Sequence, residues 1–334
     1  MFAFILSAFI TFFTTILVIP KFIVFFENIG AVGFDIQKKN QPKVAEIGGL
    51  PVLIGFLAGI LTYIGIHTFY FKSAGYMQLL AATLTVTLIV IIGMLDDLTV
   101  LLKKKTGGEF SKKIGFRQRH KFIMPIAAAV PLMVVNSGVS HIQLPFLGSV
   151  EMGLLYPLFL IPLGIFGASN ATNMLAGLNG LEASLGVVAL LSLGTYAYIN
   201  GSFFAAALAF IFVSALLAFL IYNWNPSRLF PGDSLNYTIG AVIASVAIIG
   251  NVERFAVFIF ISWFVELLLK IRSKFKAESF GILLANGNIK APYEKIYSMT
   301  HVFMDGKHTE SEIVVKLVLI EIIICIFAFL FFGA

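Results

Sequence analysis

The sequence predicts an all-α polytopic membrane protein: about ten transmembrane helices, active-site loops on the cytoplasmic side and a short external hairpin. Three observations carry that prediction. The 334 residues are 59% hydrophobic and 12% charged, with mean hydropathy +0.97, whereas about a quarter of a soluble domain is charged. Apolar stretches of the length a bilayer requires, about 17 to 25 residues, recur at 2–26, 48–71, 78–95, 122–137, 153–172, 181–199, 202–222, 236–250, 254–271 and 313–333. With the N-terminus outside, the inner loops are 27–47, 96–121, 173–180, 223–235 and 272–312, and of the 23 Lys and Arg residues Lys72 and Arg254 fall on the other side. By the positive-inside rule the N-terminus faces out.

Taken in order, Phe2 to Phe26 has no basic n-region and no small-residue cleavage site, so it is a retained span rather than a signal peptide. The outer loop 138–152, GVSHIQLPFLGSVEM, alternates apolar and polar residues around Pro145 and Gly148, which predicts an interfacial hairpin. The single Cys325 lies in the last apolar run, where it reads as a small buried hydrophobe and leaves the redox compartment undetermined. The chain carries no low-complexity tract, clear internal repeat or soluble domain longer than the 272–312 loop. Residues 1–334 therefore read as one integral-membrane domain.

Ionisable groups at membrane depth are costly and face cavities or partners, and here they collect at one depth. GMLDDL puts Asp96 and Asp97 at the inner end of the third span; NATNMLAGLNG puts its amides at the inner end of the fifth; NWNPSRLFPGDSLNY puts Asp233 just before the eighth; Lys121, in RQRHK, begins the fourth. Plainer readings exist for each. Adjacent aspartates at a helix end can be a solvated terminus, although the macrodipole disfavours negative charge at a C-terminus. Asn170 and Asn173, spaced i, i+3, share a helix face and could be interhelical glue. Asp233 could be an N-cap, and Gly177 with Gly180 a turn. His120 and His301 read as loop residues, since no second His lies at ligand spacing.

One chemistry uses all of them together. A hard divalent cation takes oxygen ligands from one or two carboxylates or amides plus substrate phosphates, as Asp233 with Asn173 could supply. Lys121 and the basic loop 98–120 would attract phosphates, and the AGLNG turn lets backbone approach a nucleotide closely. The composite suggests phosphoryl transfer from a water-soluble donor on the inner face to a lipid acceptor.

The set GMLDDL, RQRHK, NATNMLAGLNGLEA and NWNPSRLFPGDS resembles the polyprenyl-phosphate N-acetylhexosamine-1-phosphate transferases of glycosyltransferase family 4, in the family's order and over nearly the whole chain, from GFDIQKK to about residue 240. Asn173 and Asn179, where the bacterial peptidoglycan relatives carry Asp, point to the dolichyl-phosphate branch of eukaryotes and archaea. The resemblance implies transfer of GlcNAc-1-phosphate from UDP-GlcNAc to a polyprenyl or dolichyl phosphate with release of UMP, the first step of N-glycan assembly. It implies Mg²⁺ (or Mn²⁺) on Asn173 and Asp233, the acceptor phosphate on Lys121, and Asp96 and Asp97 positioning or deprotonating that phosphate. Phe34, Asp35, Ile36, Glu46, Gly177, Asn179 and Phe230 would form the UDP-sugar pocket. Phe166, Gly167, Ala168, Ser169, Asn170, Ala171, Thr172, Asn173 and Met174 would line the path of the lipid phosphate.

Two stretches depart from the family. LLKKKTGGEFSKKIG is a longer basic run than human-type enzymes have, and reads as a loop attracting anionic headgroups. The loop after the ninth span lacks their Arg-His-Arg run; Arg272, Lys274, Lys276 and His301 are its candidates for the sugar and diphosphate. Membrane lipids and a homodimer are the expected partners, nucleic acid is not, and the active site is expected on the cytoplasmic face of an archaeal cell membrane or the endoplasmic reticulum. The alternatives are another UDP-HexNAc or an undecaprenyl acceptor within the same superfamily and, more distantly, a secondary transporter, which should place its polar groups near mid-span.

Overall fold

The computed structural model describes residues 2–106, 118–138, 141–144 and 148–333, with side chains described outside 100–121 and 139–149. Among them, seven helices are long and apolar enough to cross a membrane: α1 (Phe2–Ile29), α2 (Gly49–Gly65, prolonged by a wider turn over Ile66–Tyr70), α3 (Met77–Thr106), α7 (Leu181–Ile199), α8 (Phe203–Asn223), α9 (Gly232–Gly250) and α12 (Glu310–Phe332). The count falls short of ten because three apolar segments are helical but interrupted. Segment 122–137 holds α4 (Gln118–Ala128) and α5 (Val130–Val134); segment 153–172 holds α6 (Ile161–Met174) behind a wider turn at Tyr156–Leu160; segment 254–271 holds α10 (Glu253–Ile259) and α11 (Ile261–Arg272). Pro125 and Pro131 in the first, and Pro157 and Pro162 in the second, remove backbone donors where continuous helix would need them.

A second boundary also moves. Asp96 and Asp97 were expected at a helix terminus, but α3 continues through LTVLLKKKT to Thr106. Both aspartates are interior helical residues, clear of the C-terminal dipole, and both are buried.

Helix α9 is the axis of the bundle. Its apolar window is 89% buried, against 28% for α1 and 33% for α12, so these two lie at the periphery. Small residues make the central contacts. A Cβ at Gly240 would come within 2.2 Å of the Ala168 carbonyl on α6, and Cβ atoms at Gly49 and Gly93 would meet the Ser234 backbone at 2.5 and 2.4 Å. Helices α2, α3 and α6 thus reach α9 at near backbone-to-backbone distance, the packing available where water drives no hydrophobic association. On the periphery, Thr11 and Thr15 of α1 return their hydroxyls to carbonyls four residues back and lie over Gly59 and Gly55 of α2.

The loops at the α9 N-terminal end carry structure of their own. Strands β1 (Val32–Phe34) and β2 (Lys43–Ala45) form an antiparallel hairpin, stitched to the chain before α9 by Phe230 N–H to the Ala45 carbonyl (2.8 Å) and Gly48 N–H to the Phe230 carbonyl (3.0 Å). At the other end, β3 (His141–Leu144) pairs with β4 (Gly148–Glu151), the hairpin predicted there. Between α11 and α12, strands β5 (Ile282–Leu283), β6 (Ile289–Lys290) and β7 (Asp305–His308) make a small antiparallel sheet.

Candidate active site

The first four amides of a helix lack intrahelical acceptors, and at α9 the missing acceptor comes from another helix. No side chain of the α9 N-cap, Pro231, serves. Instead Asp97 of α3 accepts from Asp233 N–H through Oδ1 (2.8 Å) and from Ser234 N–H through Oδ2 (3.2 Å). Gly232, at φ +65°, permits the approach, because a Cβ there would lie 2.5 Å from Asp97 Oδ2. A carboxylate facing a helix N-terminus is also favoured by the dipole. Asp233 therefore does not act as the cap; it is held in the first turn by Asp97.

A second wall is the turn between α6 and α7. Gly177 (φ +117°) and Gly180 (φ +85°) take left-handed conformations that favour glycine, with Phe280 and Trp224 lying against them. Three of its amides point onto side-chain acceptors from three elements. Gly177 N–H donates to Glu182 Oε1 (2.6 Å), Asn179 N–H to Glu310 Oε1 (2.7 Å) and Gly180 N–H to Asn223 Oδ1 (3.1 Å). The Asn179 side chain donates through Nδ2 to Asp35 Oδ2 of the first inner loop (2.7 Å).

These walls enclose a cavity of about 1200 Å³, room for a nucleotide sugar and the head of a second substrate. The residues expected from the sequence that reach it come from four separate parts of the chain. Phe34, Asp35, Ile36 and Glu46 come from the β1–β2 hairpin; Asp96 and Asp97 from α3; Asn170, Asn173, Met174, Gly177 and Asn179 from α6 and its turn; Phe230 and Asp233 from the start of α9. Asn173 Oδ1 accepts from Asn236 Nδ2 of α9 (3.1 Å).

The glycosyl transferase family 4 model matches residues 79–251, which contain three of these four wall elements. The chain belongs to glycosyl transferase family 4. It is 34% identical over 306 residues, 90% of this chain and 88% of the relative, to a Sulfolobus acidocaldarius protein provisionally named UDP-N-acetylglucosamine–dolichyl-phosphate N-acetylglucosaminephosphotransferase. The Saccharomyces cerevisiae protein of that name is 29% identical over 78% of this chain and 65% of its own length. A phospho-N-acetylmuramoyl-pentapeptide-transferase of Staphylococcus carnosus is also 29% identical, over 88% of this chain and 87% of its own.

The remaining expected residues of this family 4 chain fall into two groups. Of the lipid-phosphate stretch, Phe166, Gly167, Ala168, Ser169, Ala171 and Thr172 do not line the cavity. Ser169 and Thr172 are buried, and Thr172 Oγ1 donates to the Asn236 carbonyl (2.7 Å), binding α6 to α9. Asn170 combines two readings: it lines the cavity, and its Nδ2 donates to the Phe122 carbonyl of α4 (3.2 Å) as interhelical glue. Phe122 lies edge-on to Phe166, 4.8 Å between ring centroids. Lys121 opens α4 at the cavity end, with its side chain outside the described residues, as are residues 107–117 of the basic run.

None of Arg272, Lys274, Lys276 and His301 reaches the cavity wall. Arg272 packs over the Tyr297 ring and His301 is buried against Tyr293. Burial, with the nearby Lys270 charge, lowers the His301 pKa below its ordinary value. Among the described residues the cation that lines the cavity is Lys270, whose Nζ is held by the Ala277 carbonyl (3.0 Å), Ser279 Oγ (2.7 Å) and Glu266 Oε1 (3.4 Å). Its signal was a Lys in the last turn of an apolar span. Glu182 and Asn223 were visible within NGLEA and NWNPS but had no role assigned; Phe280 had no sequence signal, because its contact with Gly177 spans the whole fold.

Proposed function

We propose that this cavity transfers GlcNAc-1-phosphate from UDP-GlcNAc to dolichyl or a related polyprenyl phosphate. The observation that carries the reading is the meeting of Asp96, Asp97, Asn173, Asn179 and Asp233 with the β1–β2 hairpin around one cavity, in a chain similar over 90% of its length to a protein named for that reaction. An oxygen of the acceptor phosphate forms a bond to the phosphorus that bears the sugar; the bond from that phosphorus to the UMP oxygen breaks, and UMP leaves with the electron pair. Such a reaction is governed by positioning and by neutralisation of charge.

The donor set fits a hard divalent cation. The wall presents oxygens of Glu46, Asp96, Asp97, Asp233 and Asn173, a concentration of negative charge that a diphosphate could not join without a counter-ion. Mg²⁺ is commonly held by one or two protein ligands together with substrate phosphates and waters. Asp233 and Asn173 would hold Mg²⁺ or Mn²⁺, which supplies charge neutralisation and polarises the phosphoryl group. Asp97 acts through Asp233 by fixing the start of α9. Lys121 neutralises the acceptor phosphate, and Asn179 with the Gly177 turn receives the uracil.

We further read the three interrupted segments as crossings, giving ten. The inner hairpin, the end of α3, the end of α6, the start of α9 and Glu310 at the start of α12 all meet at one end of the bundle. The chain returns to that end each time only if the α4–α5, α6 and α10–α11 segments each traverse the bilayer. That end carries the Lys and Arg of loops 27–47 and 272–312, which supports reading it as the cytoplasmic side. Purified protein given UDP-GlcNAc, dolichyl phosphate and Mg²⁺ should release UMP, and EDTA, Asp233→Ala or Asn173→Ala should abolish the release. Undiminished turnover under any of the three would refute the metal assignment.

A further inference from the structure

Resting on that reading of the donor pocket, we propose that Glu310, in the first turn of α12, is a positioning residue that locks the base-binding turn to the first inner hairpin. Its carboxylate is 3% exposed and serves two elements at once: Oε1 accepts from Asn179 N–H (2.7 Å), and Oε2 pairs with Lys38 Nζ. Asn179 Nδ2 donates to Asp35, three residues before Lys38. Two bonds from one hairpin, one direct and one through Glu310, therefore close a ring around Asn179.

The ring decides what Asn179 shows to a ligand. An amide can present either its oxygen or its NH₂. Here the Asp35 carboxylate requires the NH₂ on its own side, so Oδ1 is the edge left for the ligand. The turn's amides at 177, 179 and 180 are likewise engaged by Glu182, Glu310 and Asn223. A pocket presenting an acceptor selects a base with a ring N–H, as uracil has, over one with a bare ring nitrogen, as cytosine has. Without Glu310 the Asn179 main-chain N–H loses its acceptor and the hairpin loses its tie to α12, so the turn can shift away from the Asp35 carboxylate that orients the Asn179 side chain. The C-terminal helix, at the periphery of the bundle, thereby contributes to donor recognition without touching the donor.

The test measures binding of UDP-GlcNAc and CDP to purified full-length protein by calorimetry, with KM for donor and acceptor determined separately. In Glu310→Gln the amide NH₂ that replaces one carboxylate oxygen either faces Lys38 or faces Asn179 N–H. Donor Kd and KM should rise about tenfold, acceptor KM should stay within twofold, and the preference for UDP over CDP, measured in the same way so that the two ligands differ in the base alone, should narrow. Lys38→Met, at a half-buried hairpin position that leaves the helices intact, should shift the same quantities in the same direction. The double variant should be no worse than the weaker-binding single. Equal losses on donor and acceptor, an unchanged donor Kd in the single variants, or losses that multiply in the double variant would overturn the proposal. Should Glu310→Gln not fold, the Lys38→Met donor-to-acceptor split decides. Wild-type protein that binds no UDP-GlcNAc would instead overturn the functional reading itself, which separates the two failures.

Discussion

Asp97 accepts two backbone amides of α9, and that geometry changes the reading of the aspartate pair. Each Asp97 oxygen accepts one helix amide and keeps a second lone pair, so the geometry gives Asp97 a structural role and leaves its part in proton transfer to experiment. An acceptor phosphate is largely ionised near neutral pH and needs no strong base. Substitution separates the roles. Asp97→Asn keeps one oxygen acceptor and should retain measurable UMP release, about tenfold down, while Asp97→Ala leaves two buried amides unsatisfied, at about 1–3 kcal/mol each. The alanine variant should show a lower Tm and a far larger loss of kcat. Equal inactivity of both, with unchanged Tm, would restore the base.

At the scale of elements, glycine contacts set the distance between the walls. Gly93 lies within α3 and should by propensity prefer Ala by about 1 kcal/mol. Its Cβ, however, would meet Ser234 Cα at 2.4 Å and the Asp233 carbonyl at 2.7 Å, so α3 and α9 must separate at the cavity end. Gly93→Ala should lower Tm and cut kcat at least tenfold, by about 1–3 kcal/mol of overpacking. Gly65→Ala, with open space around its Cβ, is the control and should be neutral or slightly stabilising. The α11–α12 connection carries a pH signature. His301 is held below its ordinary value of 6.5 by burial and by Lys270, so the unfolded chain binds its proton first as pH falls. Its contribution is therefore complete above 6.5 and is lost as pH falls through the lowered value. Wild-type Tm should drop from pH 7.5 to 5 by more than that of His301→Gln; parallel curves would remove His301 from the balance.

At the scale of the molecule, the ten-crossing arrangement predicts which loops meet which solvent. Cys325 is buried and is the chain's single cysteine, so a Cys325→Ser background allows one reporter at a time. Lys72→Cys, between α2 and α3, should react with an impermeant maleimide in intact cells, and Asn286→Cys, on the exposed turn between β5 and β6, should react in inverted membranes. Labelling of both from one side would require an even number of crossings between them, where the ten-crossing arrangement has seven. The membrane class, the seven long spans and the outer hairpin were legible because hydropathy and alternation accumulate over neighbouring residues. The three remaining segments were legible as apolar stretches; two of them carry prolines near their breaks, whose effect varies with position along a helix, and 254–271 breaks at Phe260 without one.

The motifs by themselves determined the residue types that meet at the cavity, since Asp, Asn and Gly recur at the ends of apolar spans and, in an alternating arrangement, every second loop lies on the same side. Only the tertiary structure decided how those residues divide the work. The Asp97–Asp233 contact spans 136 positions, Asn179–Asp35 spans 144 and Lys38–Glu310 spans 272. Periodicity along a helix reports which face is apolar but not which carboxylate on a distant element will satisfy a given amide. That choice follows from how closely glycine lets the backbones approach, and it left Arg272 and His301 packed away from the cavity while Lys270 lines it.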